Sequence, residues 1–467
     1  MAEETNQIVV TIFGDSPPKH TGFSQVVKQF ADGLHEAGME VNVICLLDRH
    51  ADIFQDDYPY KLISVRAFDD LAHENWTFFV RMTRPHVVVF ITDPGNLYFY
   101  LSSLTHNDPS GAEKIRVKRH GQYFIPNIVS YTPIEGMDVE DGHIIALELV
   151  EQSGGIPIVY NDFARSVVKR KSSVNVRVVP HGLDHAPFKQ YTPHERKVMR
   201  QLVGLDDFFV VGFGGVNKRI KRLDVALHTA RWLKDNDLHH GIKFYIHTNA
   251  WNPTMNGYRL FEIARDLDVL DVVLFKDVDG ANSYWIGKHR DGGSLEQALQ
   301  IQGQVPDTPQ ARGFLWNSYD FISMLNCFDI FVDISSVEGW GFWPGEAMAC
   351  GVPTLIIDDH GNRRSIYKDG PYWIPSLDPW TWPTWDNSAR LAIAHPKVIA
   401  EAILEFKNDY PAMRKTYSYS GLRVANQYKW SRPKKAMALI VKEAYDKDWS
   451  NEIGDAPLKT VEIKVKK

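Results

Sequence analysis

The chain has 467 residues, 44% hydrophobic and 24% charged, with a formal net charge of −6. That length exceeds one ordinary hydrophobic core and implies two domains of globular composition, neither disordered nor fibrous. The mild acidity supplies no global attraction to nucleic acid or anionic membrane, and the three cysteines, Cys45, Cys327 and Cys350, lie far apart in apolar surroundings, as buried free thiols of a reducing compartment do.

The N-terminus reads MAEETNQ, without the basic start and apolar stretch of a signal peptide. No apolar run approaches the ~18 residues that cross a bilayer, so the sequence reads as a cytoplasmic chain with no stable membrane insertion. QIVVTIFGD (7–15) is a β-branched run typical of a buried parallel strand. The loop SPPKHTGFS, the amphipathic helix SQVVKQFADGLHEAGM and the strand EVNVICLL follow, which makes a βαβ unit. Further strands are predicted at 86–92, 127–133, 155–161 and 176–182. Together they form a first doubly wound domain over 1–190. The polar, basic stretch 184–200 reads as the linker.

The alternation restarts in a second domain over 191–430, with strands at 208–215, 242–249, 272–277, 330–335 and 353–358 and helices at 223–234, 258–268 and 318–329. Residues 278–317 and 373–386 read as irregular insertions, 431–449 has helical spacing, and 450–467 is a tail without a role.

Two look-alike motifs are set aside. GFGG (212–215) would need a third glycine where Asn217 stands, which weakens a dehydrogenase reading. Asp277-Val278-Asp279 has the DxD form of metal-dependent sugar transferases, a pattern that chance produces easily, and no metal is expected. Two basic stretches, KIRVKRH (114–120) and RSVVKRK (165–171), suit either a solvated face or an anionic acceptor such as a phosphosugar, a lipid head group or DNA.

The strongest signal is SSVEGWGFWPGEAMACGVPTL (335–355). Glu338 and Glu346 stand eight residues apart around a Gly-rich loop, and Pro344 is read as opening a short helix that Gly351 closes. Such a loop aims backbone N–H groups and a helix N-terminus at one spot, an anion site suited to a diphosphate.

This segment resembles the E-x7-E region of the retaining glycosyltransferases of family four, often written EGFGLPxLEAMACGxP. VRVVPHGLD (176–184) is similar to the family's interdomain IPHGVD, and VGFGGVNKRIKRLDVAL (211–227) resembles the stretch where an Arg and a Lys grip the donor diphosphate. The resemblance implies an α/β fold of two Rossmann-like doubly wound domains facing across a cleft (GT-B), with 431–449 as the C-terminal helix that crosses back to the first domain. It implies transfer of a sugar from a nucleotide-diphosphate donor to an acceptor hydroxyl with retention, and no cofactor beyond that donor. Glu346 would take the ribose hydroxyls, Glu338 would face the sugar and Lys221 would hold the diphosphate. The family's Arg falls near Val216; among Lys218, Arg219 and Arg222, the bidentate geometry of guanidinium favours Arg219. Gly341, Phe342, Trp343, Gly14, Gly215 and Asn217 complete the expected donor contacts. On the acceptor side stand Gly22, Phe23, Tyr131, Lys118 and Arg119, with Glu135 as the residue facing the reacting sugar. The acceptor is open among a small molecule, a glycan and DNA carrying a hydroxylated base. The same residues would also suit a GT-B phosphorylase or a non-catalytic nucleotide-sugar-binding module.

Overall fold

A computed structural model describes residues 7–447, apart from 20, 66–68, 106–114, 120–121, 137–138, 184–187, 251–256, 276–320, 360 and 378–390. The runs rich in Val, Ile and Phe become strands because β-branched and aromatic side chains pack well on a pleated surface. They are β1 (Val9–Asp15), β2 (Glu40–Leu46), β3 (Lys61–Ser64), β4 (Val87–Ile91), β5 (Val117–Arg119), β6 (Gln122–Phe124), β7 (Asn127–Thr132), β8 (Ile156–Val159) and β9 (Arg177–Val178). All but β5 and β6, which pair antiparallel, form one parallel sheet in the order β3-β2-β1-β4-β7-β8-β9.

The second set is β10 (Phe209–Gly214), β11 (Ile242–His247), β12 (Val273–Phe275), β13 (Ile330–Asp333), β14 (Thr354–Ile357) and β15 (Tyr372–Ile374). It is also fully parallel, ordered β12-β11-β10-β13-β14-β15. Each order runs outward from its first strand and then jumps back across it, which is the doubly wound Rossmann pattern.

The chain divides into two units: residues 1–134, 139–181 and 431–467, and residues 135–138 and 182–430. The division falls at 181/182 instead of the expected 190/191. In the first unit the helix Ser431–Asp446 packs along the helix Gly22–Glu36. Gly33 permits the close crossing, since a Cβ there would come within 2.7 Å of the Lys434 Cβ. In the second unit both sheet faces are covered. Leu227, Ala230, Leu260 and Ile403 pack on one face, and Met199, Leu325, Phe328 and Ala347 on the other.

Several expectations are corrected. The stretch 184–200 is not a linker throughout: Pro193–Leu202 is a helix, opened by a capping box in which Thr192 accepts from the Glu195 N–H and Glu195 accepts from the Thr192 N–H. Its polar outer face hides a buried stripe, Val198 and Met199. The strand expected over 176–182 is only Arg177–Val178, and the insertion at 373–386 begins inside β15, which pairs with β14. The extra strand β3 and the β5–β6 hairpin are too short to show a clear alternation in sequence. Residues 278–317, Asp277 and Asp279 lie outside the described residues, as does the tail 450–467.

Candidate functional site

In the second unit the strand order reverses between β10 and β13, so the loops leaving their carboxyl ends part and open a crevice. After β10, Gly215 turns the chain with φ +142°, and Arg219–Lys221 forms one 3₁₀ turn. After β13, residues 334–341 lead into the helix Phe342–Ala349 through Gly341, whose φ of +80° suits glycine. The Ser336 N–H donates to the Ile220 carbonyl at 2.7 Å and ties the two loops together.

Across that tie the Lys221 ammonium pairs with the Glu338 carboxylate, both side chains mostly buried. The Lys221 side chain lies against Gly215: a Cβ there would sit 3.4 Å from its Cδ. Arg219 and Lys218 are exposed at the rim, while Arg222 turns to Asp224 at 3.3 Å. The helix Phe342–Ala349 has Gly341 as its N-cap residue, which makes no side-chain cap bond to its first turn. Glu346, one turn inside it, is 2% exposed.

The helix starts two residues before the expected Pro344, which places Phe342 and Trp343 in its first turn. Trp343 is committed to packing: it stacks on Phe331 at 6.1 Å and fills the space beside Gly214, where a Cβ would meet its ring at 2.3 Å. Gly212 likewise makes room for the Phe328 ring. Gly212 and Gly214 of GFGG therefore serve ring packing, while Gly215 serves the turn. Asn217 is corrected from a donor contact to a brace. It is buried, donates to the Asn249 and Tyr258 carbonyls at 3.0 and 2.6 Å, and accepts from the Tyr258 N–H at 2.9 Å.

Sequence reading missed the support beneath this site. Arg363 is fully buried in the helix Asn362–Tyr367. Its guanidinium donates to Asp333 at 2.8 Å, to the Ser335 carbonyl at 2.7 Å and to Asp359 at 3.0 Å. Burial alone would lower its pKa, but Asp333, Asp359 and Glu338 more than reverse that. Burial alone would raise the Asp333 carboxyl, and Arg363 holds it below its ordinary value. The Tyr367 hydroxyl donates to the Gly341 carbonyl. An Arg-Arg pair after a glycine reads as a solvated turn, and no local signal separates Arg363 from the exposed Arg364.

In the first unit Gly14 lies inside β1, and a Cβ there would meet Val27 at 2.5 Å; packing of the helix on the strand accounts for it. Gly22 and Phe23 begin the helix that Thr21 caps. Tyr131 is corrected: it is fully buried, donates its hydroxyl to the Val179 carbonyl at 2.8 Å and meets Phe30 edge-on, which leaves it no surface for an acceptor. Glu135 is half-buried and groups with the second unit. Lys118 is exposed on β5; Arg119 follows it on that strand, its side chain outside the described residues. Lys169, Arg170 and Lys171 occupy the last turn of the helix Asp162–Lys171, where cations offset the helix dipole. Lys171 is bonded to the Val139 carbonyl at 2.5 Å and to Asp141 at 3.1 Å.

Among the described residues one group could hold a metal ion: Asp237, His239 and His240, with ligand atoms within 4.8 Å of one another. It precedes β11, at the sheet edge opposite the crevice. No described helix is long and apolar enough to cross a membrane.

Residues 307–380 match the model of the family described as "Glycosyl transferases group 1", a segment that contains both Glu338 and Glu346. No curated protein matches the sequence. Solved structures match along nearly the whole chain. HepE from Anabaena, in complex with UDP-glucose, aligns with TM-score 0.64 and 10% identity over 94% of this chain and 100% of that one. Sucrose-phosphate synthase from Thermosynechococcus elongatus gives 0.59 and 13% over 94% and 98%. WaaG, a glycosyltransferase involved in lipopolysaccharide biosynthesis, gives 0.55 and 13% over 93% and 99%. At these identities the likeness establishes the fold: two Rossmann-like α/β domains, the GT-B architecture.

Proposed function

We propose that this chain is a glycosyltransferase that moves a sugar from a nucleotide-diphosphate donor to an acceptor hydroxyl, with retention of anomeric configuration. The observation that carries the reading is the Lys221–Glu338 pair at the strand-order reversal, beside the N-terminus of the helix Phe342–Ala349. The match of 307–380 to group 1 glycosyl transferases and the UDP-glucose held by HepE agree with it.

In this reading the donor diphosphate lies over the first turn of Phe342–Ala349. Lys221 leaves Glu338 to meet the phosphate charge, with Arg219 at the rim. Glu338 then faces the sugar, and Glu346 the ribose. The barrier is departure of the diphosphate from an oxocarbenium-like carbon, and fixed cations and backbone dipoles lower it by stabilising the developing charge. In a front-face reaction the bond from the anomeric carbon to phosphate breaks, the acceptor oxygen bonds on the same face, and its proton passes to the departing phosphate oxygen.

The phosphates have protein cations and a helix end, so we propose catalysis without a divalent metal. Activity is expected to survive a chelator, and strict dependence on Mn²⁺ would bring Asp277 and Asp279 into the site. The acceptor is proposed to be a small molecule or glycan. A DNA acceptor needs one continuous basic face, whereas the cations at 169–171 serve their own helix end.

The test is a screen of nucleotide sugars for binding and donor hydrolysis, followed by mass spectrometry with candidate acceptors; a folded chain that binds and turns over none of them overturns the reading. Once a donor is known, Glu346→Ala is expected to weaken nucleoside diphosphate binding by about 1–3 kcal/mol, the scale of a hydrogen bond to a charged group. Unchanged affinity by calorimetry in a folded variant removes Glu346 from the ribose.

A further inference from the structure

The loop 335–341 is held at both ends by one short helix. Arg363 donates to the carbonyl of Ser335, where the loop begins, and Tyr367 donates to the carbonyl of Gly341, where it ends. These residues are four apart, hence on one face of Asn362–Tyr367. Glu338 stands midway between the pinned ends. The Arg363 and Glu338 side chains both lie against Gly341: a Cβ there would be 3.7 Å from Arg363 Cδ and 3.7 Å from Glu338 Cγ.

We propose that Arg363 and Tyr367 are positioning residues, which set the height of the loop so that Glu338 meets Lys221 beside the first turn of Phe342–Ala349. The inference rests on the glycosyltransferase reading of that site.

Stability alone explains the arrangement poorly. A buried ion pair roughly repays its own desolvation, and an apolar replacement of the same shape is often as stable. What the guanidinium adds is geometry. Its planar fork reaches the end of β13 (Asp333), the first loop carbonyl (Ser335) and the segment after β14 (Asp359) at once. A lysine ammonium is a point charge on a flexible stem and cannot hold three acceptors in that plane. Tyr367 adds a second fixed point that a phenylalanine would fill without holding.

Tyr367→Phe and Arg363→Lys separate positioning from folding. Tyr367→Phe keeps the ring and its packing, so its melting temperature should stay near that of the unaltered chain. Amide exchange in 335–341 is expected to speed up at least tenfold in both variants, with β13 and β14 still protected. With a donor in hand, kcat should fall about tenfold in Tyr367→Phe and more in Arg363→Lys, while the donor KM changes less than threefold. Unchanged loop exchange, or unchanged kcat in a variant whose loop has loosened, overturns the proposal. The exchange measurement needs no activity. An unaltered chain inert toward every nucleotide sugar therefore overturns the functional reading on its own, and is told apart from failure of the brace.

Discussion

Lys221→Ala is expected to lower kcat by about 100-fold or more, the usual cost of removing one group aimed at charge that develops in a transition state. Without substrate, Lys221 neutralises Glu338 in a mostly buried pair. Its removal therefore has two consequences. The leaving diphosphate loses its nearest cation, and Glu338 becomes a carboxylate without its partner next to an incoming anion. Donor affinity should fall as well, but less than kcat, because the charge on the bridging oxygen grows only as the bond breaks. Lys221→Arg keeps the charge on a longer, planar head and should recover part of the loss. Steady-state kinetics of the two variants measure this. Near-wild-type turnover in Lys221→Ala would show that another group, with Arg219 the first candidate, holds the phosphates.

Asp329→Ala is expected to destabilise the second unit by about 3–5 kcal/mol, the cost of stranding a buried charge. Asp329 precedes β13, at the amino edge of the sheet opposite the crevice. Arg196 and Arg200 each bind it at 2.8 Å, and it accepts the Val210 N–H at 2.7 Å. Arg200 is buried, so the alanine variant leaves a guanidinium without its counter-charge.

The pair also predicts a pH dependence. Burial by itself raises the Asp329 carboxyl, but Arg200 and Arg196 outweigh burial and hold it below its ordinary value. A carboxyl depressed in the folded state contributes stability at pH above its unfolded value, about 3.9. That contribution disappears as pH falls through the folded value. Acid unfolding of the unaltered chain should therefore steepen below about pH 4, and Asp329→Ala should flatten that limb. Thermal melts taken from neutral pH down through the ordinary carboxyl value of about 3.9 test it. A variant as stable as its parent at neutral pH would show that solvent reaches Arg200.

The metal-independence, Glu346 and loop-bracing expectations concern binding and turnover. The Asp329 expectation concerns folding alone, so turnover per folded molecule should be unchanged in that variant. This contrast distinguishes the two edges of the sheet: under the proposed function loops at the carboxyl edge carry the chemistry, and ion pairs at the amino edge hold the strands.

Features that depend on neighbours a few residues away were legible in the sequence. β-branched runs such as VVTIF and VVVFI read as buried parallel strands, and the strand-loop-helix alternation left a doubly wound sheet as the economical arrangement. Glu338, the glycines after it and Glu346 lie within one continuous stretch, so their joint presence was visible as a pattern. The helix at Pro193–Leu202 was equally local: its Thr192-x-x-Glu195 capping box is a sequence signal, masked by the polar residues that surround it.

Tertiary structure alone decided which polar groups face inward. Tyr131, at the end of a predicted strand, points into a ring cluster, and only the position of Val179 shows that its hydroxyl is already used. Asn217 has the composition of a ligand contact, and only the return of the chain at 249 and 258 turns it into a brace. Arg363 and Arg364 are identical side chains one residue apart. One is fully buried and the other exposed because a helix turns by about 100° per residue, and the sheet lies on only one side of it. Burial is a property of the assembled layers, and so is the meeting of Lys221 with Glu338 across 117 residues of chain.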